Sequence, residues 1–452
     1  MGTHAQLMTS GSIKRNLISF AIPIFFGNLL QQLYQTIDSL VVGNFVSKEA
    51  LAAISSISSL TMLLTGLFQG IFIGAGVVIS RSFGEGKKDA VHKAVHTTVA
   101  IALISSLFLT IFGYQFAPVI LSWMKTPPDV FVDAETYIRI IFAGISTLIL
   151  YNTASGILQA VGDSKNPLKF LAVSAILNVV LDLLFVLKFN LGVAGVAYAT
   201  IIAQAVSVFL SFRLLFTTKD LVRVEIRKIK IHRHFAAETL RLGIPSGIQN
   251  SVTSFANVIL QYSINLFGAS AIAGNGAFMR IQGFAFIPIT AFALALTTFT
   301  SQNLGAGEYK RVRQGARFGI IFAMLMAEAI GLVMYFGAAP LVSFFSRDPE
   351  VIFYGVQKAR TSSLFLFALA LSHAMAGLYR GAGKSVVPML VMLAVWCVFR
   401  IIFIQVGLAL YYDIRVVFSA YPVTWSISSI IFIIYYFTVD WMGQKSHERT
   451  AA

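Results

Sequence analysis

Two aspartates lie inside long apolar stretches in the first half of the sequence. Asp38 stands in QQLYQTIDSLVVG and Asp182 in NVVLDLLF. A carboxylate in the middle of a membrane helix costs about 3 kcal/mol on insertion scales, so it usually faces a protein interior or a wet cavity and has a function there. In such a place it can take up a proton, bind a hard cation such as sodium, or attract a cationic compound.

Other polar residues accompany both aspartates at helical spacing. Asn178 lies four residues before Asp182, so the two side chains share one helix face, and Thr200 and Gln204 repeat this spacing in the next apolar run. Neutral polar side chains are also common between packed membrane helices, so Asn178 and Thr200 have a structural interpretation beside the functional one. A polar stripe precedes Asp38 on one surface of its helix and consists of Gln31, Tyr34 and Gln35.

Four more ionisable residues stand within apolar runs of the second half. Glu328 lies in LMAEAIG, and its partner is not evident from the sequence. Arg280, His373 and Arg400 lie in other runs, and Arg400 is a candidate for neutralising or shaping a cleft. An intramembrane ionisable residue is a functional candidate by default, but the sequence leaves the roles of these four open.

The composition indicates a polytopic membrane protein. Of 452 residues, 57% are hydrophobic and 12% are charged, whereas soluble domains carry about 25% charged residues. The net charge of +15 comes mainly from Lys and Arg in short loops, a pattern that sets membrane orientation and does not indicate a nucleic-acid partner. The sequence has no Walker A motif and no catalytic triad or metal-ligand constellation, so we expect neither an enzyme nor a cofactor.

A spanning helix needs roughly 20 apolar residues, and the sequence offers twelve candidates, which predict an all-α integral membrane fold. They lie at about 14–42, 51–82, 92–121, 134–160, 166–187, 193–217, 236–266, 271–301, 314–345, 352–379, 386–411 and 416–439. With twelve spans the basic loops all fall on one side, which predicts that both termini are cytoplasmic. We therefore expect a multi-pass protein of the cell (plasma) membrane, the inner membrane of a bacterium.

The two halves of the sequence repeat each other. SGILQAVGDSKNP at 155–167 matches AGLYRGAGKSVVP at 376–388 with an offset of 221 residues, and Ile22-Pro23 matches Ile244-Pro245 with an offset of 222. Six helices per repeat place both halves in the same orientation, as in transporters built from parallel repeats. The predicted domains are an N-lobe at 1–218, a basic cytoplasmic linker at 219–235 and a C-lobe at 236–452.

The aspartates have no acidic counterpart in the second half. At these offsets Asp182 corresponds to Phe403 and Asp38 to Leu260. We therefore expect any ion chemistry to be confined to the N-lobe.

These features together resemble the MATE family of multidrug and toxic compound extrusion transporters, and within it the DinF-like branch. The resemblance covers essentially the whole chain and is carried by the twelve-helix layout, Pro23, QQLYQTIDSLVVG, GILQAVGDSKNP, NVVLDLLF and GVAGVAYAT. It implies an ion-coupling cluster at positions that this sequence retains. These are Asp38, Asn178, Asp182 and Thr200.

The resemblance also implies export of bulky, lipophilic, often cationic compounds, driven by the inward flow of protons or sodium ions. We favour protons, with Pro23 as the conformational hinge, although the same four residues can offer oxygen ligands to sodium. The candidate substrate-binding residues are Gln31, Tyr34, Gln35, Asp38, Asn152, Asp182 and Gln204. We expect a monomer in the bilayer. The alternatives are a sodium-coupled drug antiporter and a flippase of lipid-linked oligosaccharide precursors.

Overall fold

All regular elements among the described residues are helices, as expected for apolar segments that must satisfy their own backbone hydrogen bonds. The structure is a computed structural model that describes residues 5–123, 126 and 128–444, apart from the side chains of 48–49, 51–65, 128–129 and 254–255. The helices are α1 (Ile13–Phe45), α2 (Lys48–Gly84), α3 (Lys88–Trp123), α4 (Pro128–Ala143), α5 (Ile145–Ala160), α6 (Lys165–Leu183), α7 (Gly192–Thr217), α8 (Arg233–Asn265), α9 (Ala269–Gly305), α10 (Tyr309–Phe336), α11 (Ala338–Ser343), α12 (Pro349–Ser362), α13 (Leu366–Gly381), α14 (Val386–Met392), α15 (Arg400–Leu410) and α16 (Ile414–Thr438).

Several of these helices join into longer spans. α4 and α5 form one span bent by 44°, α12 continues into α13 through a short 3-10 turn, and α14 continues into α15 through the π-helical segment Leu393–Phe399. Among the described residues, ten spans are long and apolar enough to cross a membrane and the bent α4–α5 pair is an eleventh. With the more polar α8 the number of long helical spans is twelve, as the sequence predicts.

The chain divides into two compact units. The first comprises Met1–Leu7 and Ile22–Ile244, and the second comprises Met8–Ala21 and Pro245–Ala452. Compared with the predicted lobes, the start of α1 joins the second unit and the start of α8 joins the first. Both crossings fall beside a proline inside a helix, Pro23 or Pro245, where the missing backbone hydrogen bond permits a bend.

Local contacts account for this division. In the second unit, Arg311 of α10 donates to the carbonyl oxygens of Met8 (3.0 Å) and Ser10 (3.2 Å), which fastens the segment that leads into α1. In the first unit, α8 packs directly against the backbone of α2, because a Cβ built on Gly74 would lie 2.6 Å from the Gly243 nitrogen. Contacts within one unit thus hold the first part of α1 and the first part of α8.

Candidate functional site

The two aspartates meet inside the first unit. Asp38 of α1 is half-buried and Asp182 of α6 is fully buried, and their carboxyl groups lie next to each other. One oxygen of Asp38 and both oxygens of Asp182 are buried with no hydrogen-bond partner among the described residues. Two ionised carboxylates side by side repel, so the pair is stable only with a proton or a cation between its oxygens.

The backbone around Asp182 is irregular. α6 ends at Leu183 and continues as the π-helical segment Leu184–Lys188. The chain then reverses through Asn190 and Gly192, both with positive φ (52° and 55°), and α7 begins at Gly192. π-helical segments within membrane helices often mark functional sites. The irregular backbone places Asp182 at the end of the regular helix, next to the turn that returns through α7.

Asn178 adds two more unpartnered polar atoms to the same face of α6. Its side chain is 2% exposed, and neither its oxygen nor its nitrogen has a hydrogen-bond partner among the described residues. Buried polar groups are nearly always paired, so a cluster of unpaired ones indicates a place for a proton, a water molecule or an ion. The oxygens of Asp38, Asp182 and Asn178 suit either a proton or a sodium ion.

Thr200 and Asn152 are less directly connected to this cluster. The Thr200 hydroxyl donates to the Val196 carbonyl oxygen of its own helix at 3.0 Å, and the Asn152 amide donates to the Leu148 carbonyl oxygen at 2.9 Å. Both side chains are half-buried, and the described contacts include no bond from either to an aspartate. Their predicted roles stay predictions.

The predicted substrate-binding glutamines gather around Tyr34. Gln31, Gln35 and Gln204 lie beside the Tyr34 hydroxyl, and Asp38 is close to it. Gln204 of α7 also accepts a hydrogen bond from the Thr147 hydroxyl at 3.0 Å. The polar stripe of α1 therefore faces α5 and α7 and continues from the aspartate pair, as its helical spacing indicates.

Two residues near charged groups, Tyr137 and Lys358, are not predicted from the sequence. Tyr137 of α4 lies close to both Asp38 and Asp182, but its spacing in α4 gives no indication that this helix face meets α1 and α6. Lys358 of α12 is fully buried. An ionisable residue within an apolar run is the signal that identifies Arg280, His373 and Arg400, and the same signal applies to Lys358.

The four residues of open role differ widely in the structure. The Glu328 carboxylate accepts a hydrogen bond from the Phe367 backbone N–H (3.1 Å) at the start of α13, where a free amide needs an acceptor. Arg280 is exposed, and His373 packs edge-on against Phe286. Arg400 is 2% exposed. Glu328 therefore has a structural partner, whereas Arg400 is a buried cation.

Among the described residues, long helices in two repeats, with a buried acid pair in the first, are typical of a polytopic transporter. The MatE family model matches residues 23–184 and, a second time, residues 245–406. The chain therefore belongs to the MATE family of transporters. The second match begins 222 residues after the first, which confirms the internal repeat.

Similar proteins are found among bacterial relatives and solved structures. The probable multidrug resistance protein YpnP of Bacillus subtilis is 30% identical over 83% of this chain and 84% of its own. The probable multidrug resistance protein NorM of Thermotoga maritima is 26% identical over 85% and 83%. A crystal structure of MATE in the bent conformation has a TM-score of 0.91 at 21% identity, covering 99% of this chain and 100% of that chain. This structural likeness confirms the fold.

Proposed function

We propose that this chain is a secondary-active multidrug exporter that exchanges bulky lipophilic or cationic compounds for inward-moving protons. The names of its relatives support drug export. The observation that carries the ion-coupling part is the Asp38–Asp182 pair, because its buried oxygens have no hydrogen-bond donor among the described residues. No group among the described residues neutralises this charge, which supports an exchangeable ion as its partner.

The proposed coupling step is a change of charge at this pair. With the pair deprotonated, its negative charge attracts the cationic part of a compound, while Tyr34 and the glutamines beside it supply polar contacts. Uptake of protons from the outer side removes that charge, and the compound loses its partner. The local charge change biases a two-state element, for which we propose the bend of α1 at Pro23.

Sodium is the alternative coupling ion. Carboxylate and amide oxygens are ligands that suit a hard cation, and Asp38, Asp182 and Asn178 offer them together. We favour protons because the sequence resembles the DinF-like branch, while the ligand set fits either ion. We also propose that the protein works as a monomer in the plasma membrane with both termini on the cytoplasmic side.

Proteoliposomes with separately imposed gradients test the proposal. We expect a proton gradient alone to drive uptake of a lipophilic cationic dye into the vesicles, and a protonophore to abolish it. Transport that survives the protonophore and follows the sodium gradient would identify sodium as the coupling ion. The proposed site residues would stay the same. Absence of dye movement under both gradients, in protein that stays folded, would contradict the exporter assignment.

A further inference from the structure

Two cationic side chains are buried together in the second unit. Lys358 of α12 is 0% exposed and Arg400, at the start of α15, is 2% exposed. They share the ring of Tyr421, whose centroid lies 3.1 Å from the Lys358 Nζ atom and 5.1 Å from the Arg400 Cζ atom. No ion pair formed by the described residues includes either cation. Burying two like charges without an acid is costly, so their retention needs a reason.

The protein satisfies these cations only in part. Arg400 donates from its terminal nitrogens to the Thr424 hydroxyl (2.9 Å) and the Asn257 side-chain oxygen (3.5 Å). Its Nε and the Lys358 Nζ are buried with no hydrogen-bond acceptor among the described residues. The faces of Tyr421, Phe418 and Trp396 offer cation–π contacts but no lone pairs for these N–H groups. Donors on both cations are therefore left for a ligand.

The position of the cluster in the repeat relates it to the acid pair. PDVFVDAETY at 128–137 aligns with PEVIFYGVQK at 349–358, so Lys358 corresponds to Tyr137, which lies close to both aspartates. The two offsets of the repeat, 221 and 222 residues, place Arg400 opposite Val179 or Asn178, both within one turn of Asp182. The π-helical segment Leu393–Phe399 ends directly before Arg400. It lies in the span that corresponds to α6, which is followed by the π-helical segment Leu184–Lys188. The first-repeat counterparts of the two cations thus lie close to the acid pair, although they carry no charge themselves.

We propose that Lys358 and Arg400 bind an anionic group, either the carboxylate of a transported compound or a small free anion such as a halide. Charge-assisted hydrogen bonds from an ammonium and a guanidinium suit both ligands. The carboxylate source rests on the proposed export function and extends its substrates from cations to compounds that also carry an acid. The halide source is independent of transport.

Iodide binding to the purified protein tests the free anion. Trp396 is the reporter, because its ring centroid lies 5.4 Å from the Arg400 Cζ atom and iodide quenches indole fluorescence on contact. At constant ionic strength we expect a saturable quenching component that Lys358→Met removes. Arg280→Gln, which changes an exposed arginine in α9 of the same unit, should retain it.

Transport of a matched pair of compounds tests the carboxylate. The pair is a lipophilic amino acid drug and its methyl ester, measured in proteoliposomes. We expect Lys358→Met to raise the KM of the acid roughly tenfold or more and to leave the ester unchanged, because the variant removes one partner of a buried charge contact. If the wild type moves neither compound nor a cationic dye, the export function fails, and the iodide measurement still decides on the free anion.

The thermal stability of Lys358→Met separates ligand binding from a structural role. Replacing an unpaired buried charge by an apolar side chain of similar length should leave the Tm unchanged or raise it. A lower Tm, with iodide quenching and the KM of the acid as in the wild type, would show that Lys358 only packs on Tyr421. If the variant changes acid and ester transport equally and wild-type quenching is not saturable, the anion site is overturned.

Discussion

Asp38 and Asp182 are energetically costly residues to which we assign a proposed ion-coupling function. Their oxygens are buried without donors among the described residues, so they destabilise the fold whenever they are charged and no ion is bound. The neighbouring Asn178 and Tyr137 do not remove this cost. In the proposed mechanism, this cost in the empty state favours ion binding and allows the bound ion to shift the conformation.

We expect Asp38→Asn and Asp182→Asn each to abolish coupled export while leaving the protein folded. The asparagine amide carries no charge and does not exchange a proton as a carboxyl group does, so coupling is lost. Removing an unpaired buried carboxylate should leave the Tm unchanged or raise it. Dye transport under a proton gradient, together with a melting curve in detergent, measures both effects. Phe403→Ala, at the position that corresponds to Asp182 in the second repeat, is the control and should retain most of the transport. Export near the wild-type rate in both aspartate variants would refute this assignment.

At the scale of helices, the close contact of α2 and α8 depends on two glycines. A Cβ on Gly243 would lie 2.5 Å from the Ile71 Cα atom, and one on Gly74 would lie 2.6 Å from the Thr239 carbonyl oxygen. These are backbone atoms, so side-chain movement cannot relieve the clash. The contact lies just before Pro245, where α8 passes from one unit to the other.

We expect Gly74→Ala and Gly243→Ala to destabilise the protein by about 1–3 kcal/mol, the usual cost of overpacking, or to prevent its accumulation in the membrane. Gly76→Ala in the same helix α2 is the control, since a Cβ there meets nothing within 4 Å, and it should be neutral or slightly stabilising. Melting temperatures and membrane yields of the three variants give the comparison. Equal stability of all three would show that the helices separate easily.

The linker between α7 and α8 is fastened to α3 by a neutral histidine. The Glu225 backbone N–H donates to the His96 Nε2 atom (2.9 Å), while the His96 Nδ1 atom lies 2.7 Å from the His92 carbonyl oxygen. The ring therefore carries its proton on Nδ1 and accepts at Nε2. The Glu225 carboxylate accepts from Lys228 at 2.9 Å, and this hydrogen bond lowers the pKa of Glu225.

We expect the linker to loosen as the pH falls from neutral into the acidic range, in which the buried, neutral His96 takes up a proton. Protonated His96 cannot accept from the Glu225 N–H, so exchange of that amide should accelerate beyond its intrinsic pH dependence. The Glu225 carboxylate stays charged in this range, because the hydrogen bond from Lys228 lowers its pKa. Its stabilising contribution is lost only at lower pH, as the pH falls through that pKa. Hydrogen exchange of the linker measures the change, and His96→Gln, which does not titrate, should not show it. The same pH response in His96→Gln would assign it to another group.

At the scale of the whole molecule, the orientation in the membrane stays a prediction from the distribution of basic loops. With Cys397 replaced by serine, a membrane-impermeant thiol reagent added outside intact cells should label a cysteine at position 350 and should not label one at position 227. Glu350 belongs to one of the acidic loops, which are predicted to lie outside, whereas Arg227 lies in the basic linker. Labelling at 227 from outside would invert the topology. Lys445 and Arg449, which belong to the same basic pattern, lie outside the described residues.

The sequence by itself determined the helical membrane fold, the repeat and the family. Hydrophobic run length decides how often a chain can cross the bilayer, and the high cost of an intramembrane carboxylate marks Asp38 and Asp182 without any structure. Helical periodicity also decides which residues share a face, so it predicts the stripe of Gln31, Tyr34 and Gln35 before Asp38. These features depend on spacing within one helix or on repetition along the chain.

Only the tertiary structure decided which faces meet. Contacts between different helices are the clearest examples. Asp38 lies beside Asp182 with Tyr137 close to both, and Glu328 accepts a hydrogen bond from the start of α13. Lys358 and Arg400 share the ring of Tyr421. Periodicity gives the direction of a helix face but not its neighbour, because the neighbour is set by the packing of the whole bundle. For the same reason the division of α1 and α8 between the two units appears only in the folded chain.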